Sequence, residues 1–207
     1  WQSIKLWSGE VGDCYRGKDR YWLSRPLMVH PNTVLGEGNN PFQATYFSIA
    51  REALSIARHE EGAVSLCDVG AGNGRVAKIA LDIGFLDVWG VEIDERWRRA
   101  LQALHEEAEA RFNFVIGDAL KSMPQRRFDA IFLFNPMDRK LFARFLARLG
   151  QRKFLPRGFV QVNPEYDDLM IEAGYEETYS RSTGKHIEYK IFRRRTPQRE
   201  AVSANRP

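Results

Sequence analysis

Cysteine is nearly absent from this chain of 207 residues: Cys14 and Cys67 are its only two. So distant a pair gives no disulfide framework, and Cys67, inside an apolar run, reads as a small core side chain. The four histidines and two cysteines show no ligand spacing, so no metal is indicated. No apolar stretch approaches the roughly 20 residues that cross a bilayer, and the start at Trp1 has no basic segment leading into an apolar one. The expectation is a chain without membrane association, in a reducing, cytoplasmic setting. Internal repeats and low-complexity tracts are also missing.

What is present suits one domain with a substantial core: 43% of the residues are hydrophobic. The formal charge of +4 is unevenly placed. From Arg193 onward five arginines face one glutamate, so the tail holds the whole excess and the body sums to neutrality. Residues 1–43 carry scattered tryptophan, glycine and proline without a sustained period, which predicts an irregular cap on the substrate side. Residues 196–207 are polar and proline-containing, and disorder is expected there.

Between them, residues 44–195 alternate short apolar runs with amphipathic segments, as repeated βα units around a parallel sheet do. The periodicity predicts helices over 44–59, 75–83, 95–110, 138–149 and 166–173. It predicts strands over 64–69, 88–93, 112–116, 128–134 and 158–162, then two more at 175–182 and 187–193 with no helix between them. The fold class is therefore α/β: a three-layer αβα sandwich whose mostly parallel, seven-stranded sheet ends in an antiparallel hairpin.

The informative stretch is Asp68-Val69-Gly70-Ala71-Gly72-Asn73-Gly74, a strand that ends in an acid and breaks into alternating glycines before a helix. Glycine serves where the chain turns tightly and a ligand nears the backbone. A dinucleotide fingerprint needs G-x-G-x-x-G, and reading from Gly72 its third position falls on Ala77, which the looser form tolerates. Spacing alone leaves that reading open. Asp68 weighs against it, because a carboxylate repels a pyrophosphate and attracts a cationic amino-acid moiety. Glu92 closes the next strand, where an acid commonly accepts ribose hydroxyls. Asp118, in Gly117-Asp118-Ala119, follows the third strand and can accept from an exocyclic amine. Glu92 or Asp118 alone reads more often as a loop acid capping the following helix.

Together these segments, with Gly90-Val91-Glu92-Ile93-Asp94, resemble the first three motifs of the class I, Rossmann-like, S-adenosylmethionine-dependent methyltransferases. The resemblance spans roughly residues 44–193 and includes the closing hairpin. It implies S-adenosyl-L-methionine as cofactor. Asp68 and the loop of Gly70, Ala71, Gly72, Asn73 and Gly74 would face its methionine portion. Glu92 would take its ribose, Ile93 one adenine face, and Asp118 with Ala119 the adenine edge.

The fourth strand ends in Asn135-Pro136-Met137-Asp138, similar to the Asn-Pro-Pro-aromatic motif of enzymes that methylate planar nitrogen. Asn135, Pro136 and Asp138 are the candidate catalytic residues, Asn135 also touching the donor. Met137 and Asp138 stand where that motif has a proline and an aromatic, and Asp138 alternatively caps the next helix. Gln43 and Thr45 are candidate donor contacts, beside Tyr46, with a hydrophobic staple through Phe42 and Tyr46 as the alternative. His30 or His186 would serve as base if the acceptor is a hydroxyl. The expected activity is methyl transfer to nitrogen or oxygen of a small molecule, sugar or peptide. RNA or DNA, anchored by the segment 193–199, is the rival acceptor, and a non-catalytic donor-binding or interaction module is the rival class.

Overall fold

The computed structural model describes residues 38–40, 45–151, 154–182 and 187–195. Most of the cap and the tail 196–207 lie outside these residues, as do Gln43, His30 and His186.

Seven strands form one sheet in the order β3-β2-β1-β4-β5-β7-β6. They are β1 Ser65–Val69, β2 Asp87–Glu92, β3 Phe112–Ile116, β4 Ala130–Phe134, β5 Gly158–Val162, β6 Tyr175–Ser182 and β7 Glu188–Arg194. The first five pair in parallel, and β7 runs antiparallel between β5 and β6. β1 and β4, at the centre, are buried nearly throughout, which is why they read as continuous apolar runs.

Helices cover both faces. On one lie α1 Phe47–His59, α2 Arg75–Ile83 and α3 Arg98–Glu107, packed on Leu66 and Phe132. On the other lie α4 Ala119–Ser122, α5 Arg139–Gln151 and α6 Asp167–Glu172, packed on Cys67, Ile131 and Phe159. α1 buries Ile49, Ala50, Ala53, Leu54 and Ala57 along one stripe. α2 ends at Gly84, whose left-handed backbone (φ 102°) lets its N–H reach the carbonyls of Ala80 and Leu81. No helix among the described residues is long and apolar enough to cross a membrane.

The structure departs from the expected elements in three places. The helix expected over 95–110 is a three-residue 3-10 turn, Glu95–Trp97, followed by α3. The Asp94 side chain accepts from Arg96 N (3.0 Å) and tightens the first turn, while Glu109 and Ala110 adopt positive φ and end α3 early. The helix expected from residue 44 starts at Phe47, because Tyr46 is extended. The turn α4, which the sequence pattern did not reveal, is nucleated by Asp118, whose side chain accepts from Leu120 N (2.9 Å).

The antiparallel insertion depends on close contact between β5 and β7. A Cβ at Gly158 would stand 2.6 Å from the Phe192 carbonyl oxygen, so the backbones themselves would have to part. Gly158→Ala should lower stability by about 1–3 kcal/mol through overpacking. Urea unfolding checks this: the midpoint should fall while the slope stays unchanged.

Candidate active site

The chain moves from β1 to β2 and β3 on one side of the sheet, then returns to place β4 on the other side of β1. That reversal leaves a crevice beyond the carboxyl ends of β1 and β4, the usual ligand position in such sheets. A cavity opens there, between the loop after β1, the tips of β2 and β3 and residues 136–137. Asp68, Glu92, Asp118, the glycine loop and Pro136 all contribute to its wall.

The loop after β1 is shaped by three left-handed glycines, Gly70 (φ 85°), Gly72 (φ 52°) and Gly74 (φ 84°). Gly74 has a packing reason besides: a Cβ there would come within 2.9 Å of Leu104. Gly70 N and Ala71 N donate to the Val91 carbonyl (2.8 and 3.2 Å), Gly72 N to Glu92 Oε2 (2.6 Å) and Gly74 N to the Ala71 carbonyl (2.9 Å). Arg75 N donates to Asn73 Oδ1 (3.2 Å). The amides that a pyrophosphate would need are thus engaged by the protein itself, and the dinucleotide reading loses its main donors.

The carboxylates make the cavity a site for positive charge. Asp68 is 2% exposed, and its Oδ2 has no hydrogen-bond partner among the described residues. Burial, then the nearby Glu92 carboxylate, push its acid well above the usual range. Glu92, 6% exposed, is also raised, chiefly by burial. It is partly compensated, because Oε1 accepts from Asp94 N (2.7 Å) as Oε2 does from Gly72 N. Asp118 caps α4 and also lines the cavity, so the cap does not remove it from the cavity wall. Ile93 lies one residue past β2, is 36% exposed and faces the same cavity.

The opposite wall is built by residues 38–40 lying against 136–138. Asn39 bridges Met137 in antiparallel fashion, Asn40 N donates to the Pro136 carbonyl (3.0 Å), and Asp138 N donates to the Gly38 carbonyl (2.7 Å). Asn40 Nδ2 also donates to the Asn135 carbonyl (2.8 Å). Asn135 has φ 37° and points its amide at Glu165 Oε1 (2.5 Å), while Asp138 Oδ1 accepts from Leu141 N (2.8 Å) at the start of α5. Of the three candidate catalytic residues, Pro136 faces the cavity, whereas Asn135 and Asp138 stand behind its wall.

Thr45 is in the wall and 5% exposed, and its carbonyl accepts from the Arg75 guanidinium (2.5 Å). Ala71, Asn73 and Ala119 line the cavity, and Gly72 and Gly74 do not. Sequence reasoning passed over Asn39, Asn40, Arg75 and Trp97, all wall residues. Arg75, as the first residue after the glycines, was the one with a positional signal.

Residues 66–151 match the family model for a methyltransferase domain. No curated protein matches the sequence. Among solved structures, the chain is similar to a Pyrococcus horikoshii protein provisionally described as an RNA methyltransferase (TM-score 0.59, 19% identity, covering 84% of this chain and 92% of that one). It is also similar to the 1,6-didemethyltoxoflavin-N1-methyltransferase of Burkholderia thailandensis, solved with its acceptor and S-adenosylhomocysteine (TM-score 0.59, 16% identity, 94% and 90% covered). The mitomycin 7-O-methyltransferase is a third (TM-score 0.56, 16% identity, 72% and 54% covered).

The raised acid of Asp68 has a consequence for stability. The folded state holds that proton more tightly than the unfolded chain, so this contribution favours folding at low pH and is lost as pH rises through the folded-state value. Asp68→Asn should therefore raise the melting temperature of the ligand-free protein at about pH 8, and the gain should shrink at about pH 5. Calorimetric unfolding at both values checks the sign.

Proposed function

We propose that this chain, whose residues 66–151 match a methyltransferase-domain model, is a class I S-adenosylmethionine-dependent methyltransferase, that its cavity binds this donor through Asp68, Glu92 and Asp118, and that residues 38–40 and 136–137 present a nitrogen or oxygen acceptor. The observation that carries this reading is the buried Asp68 oxygen without a partner, a negative group that a cationic ligand would satisfy. Supporting it, Asp68, Glu92 and Asp118 share one cavity wall with the bend after β1.

When bound, S-adenosylmethionine supplies a methyl group made electrophilic by its sulfonium. Asp68 pairs with the donor's ammonium group, and deprotonation of the acid on pairing makes binding weaken as pH falls. Glu92 accepts the ribose hydroxyls with lone pairs left over from its two backbone contacts. Ile93 offers an apolar face to the adenine, and Asp118 and Ala119 border its edge. Phe132, Phe134, Met137 and Leu141 keep the far end dry, so that a nucleophile held about 3–3.5 Å from the methyl carbon meets little competing water.

Asn40 donates to the Pro136 carbonyl (3.0 Å) and to Asn135 Oδ1 (3.4 Å), the groups that an Asn-Pro motif would offer to an attacking amine. The acceptor is therefore oriented by the 38–40 segment, with Asn135 and Asp138 as positioning residues that hold it and the start of α5. A reducing, cytoplasmic setting belongs to the same reading, in keeping with Cys67, a buried free thiol.

Asp68→Ala and Glu92→Ala should each weaken binding of S-adenosylhomocysteine about tenfold or more in titration calorimetry, one order of magnitude being about 1.4 kcal/mol. Unchanged affinity in both would remove the basis of the reading. Asn40→Ala should leave that affinity intact and lower transfer of radiolabelled methyl groups to acceptor. A protein that binds the donor and transfers nothing to any acceptor fraction would be the non-catalytic module instead.

A further inference from the structure

The helix that leads away from the acceptor wall carries charges that its own stability does not favour. α5 contains Arg139, Lys140, Arg144 and Arg148 and no acidic residue. Two of these cations sit in the first turn, where the helix dipole favours anions. Lys140, Arg144 and Arg148 are exposed and stand four residues apart, so they form one row in which like charges are neighbours, about 6 Å apart along the axis. Arg139 pairs with Asp168, but none of the three in the row has an acidic partner among the described residues.

The row starts one residue before Leu141. Leu141 of α5 is part of the wall, as are Ala119 and Leu120 of α4, which packs beside α5. Lys121 of α4, with its side chain 82% exposed, also lies on that flank, 3.9 Å from Asp118. Meanwhile Phe142, Phe145, Leu146 and Leu149 are all buried in the core, so α5 has no apolar face left to insert into a bilayer.

Building on the donor reading above, we propose that the Lys140-Arg144-Arg148 row docks the backbone of a single-stranded nucleic acid and feeds one of its nucleotides to the acceptor wall. A line of isolated cations at this spacing matches a chain of phosphates, and an unpaired base reaches an enclosed site without the cost of leaving a duplex. The neutral sum over the body of the chain hides this row, because acids on the opposite face of the sheet, such as Glu106 and Glu107 of α3, balance it in number and not in place.

Fluorescence anisotropy with labelled 20-nucleotide oligo-U and oligo-dT, using the full chain at about 0.05 and 0.2 M salt, tests this and separates RNA from DNA. Binding of either should weaken with salt. The K140Q/R144Q/R148Q variant should lose about tenfold in affinity and about 2 in salt slope, at roughly 0.7 per phosphate contact. A control that removes three exposed cations elsewhere, R51Q/R99Q/R111Q, should change affinity by less than about twofold. No binding by the wild type, equal losses in both triple variants, or preferential binding of phosphatidylserine vesicles through the row would overturn the proposal. S-adenosylhomocysteine affinity should be unaltered in both triples, and its loss in the row variant would also count against docking. Absent donor affinity in the wild type would sink the donor reading alone, since oligonucleotide binding is read independently.

Discussion

The Glu92 carboxylate holds the ligand-binding edge of this protein together. Its two oxygens accept from Gly72 N and Asp94 N, while its own carbonyl accepts from Gly117 N (2.7 Å). One residue at the tip of β2 thereby joins the loops that follow β1, β2 and β3. An acid is required for this: a buried amide side chain could accept on one side only, leaving one backbone N–H unpaired. Its burial raises the acid's proton affinity, and the backbone donors restrain that rise, so structure and electrostatics are set by the same contacts.

Beside this tie, Asp68 is uncompensated. The contrast between two carboxylates in one cavity, one satisfied by backbone and one not, divides their work. Glu92 shapes the socket, whereas Asp68 Oδ2 is buried without a partner among the described residues. Such a group is a burden on the folded protein that the proposed pairing with the donor's ammonium would relieve.

Much of this edge was legible in the sequence, because acids at strand tips and glycines in a turn are local signals. Asp68, Glu92 and Asp118 follow runs whose length and apolarity mark buried parallel strands, and a strand's end fixes where its next residue points. The sheet's class was legible for the same reason. What escaped depends on contacts distant in the chain. Asn40 meets Asn135 across 95 residues, and no periodicity relates them. Glu109 and Ala110 take left-handed backbone that neither residue type favours, so the end of α3 left no mark. The Asn-Pro segment was recognisable by composition, yet the direction of the Asn135 amide was decided by Glu165, on another loop.

The order of the strands also governs how the molecule can be completed. β6 pairs with β7 and with no other strand, and β7 alone connects it to β5. As the chain leaves the ribosome, β6 emerges before the strand that must slot between it and the finished part of the sheet. Until then the exposed backbone edge of β5 awaits a partner. The later-made strand, β7, is thus the keystone of that half of the sheet, and truncation before residue 188 would strand β6 as an unpaired ribbon.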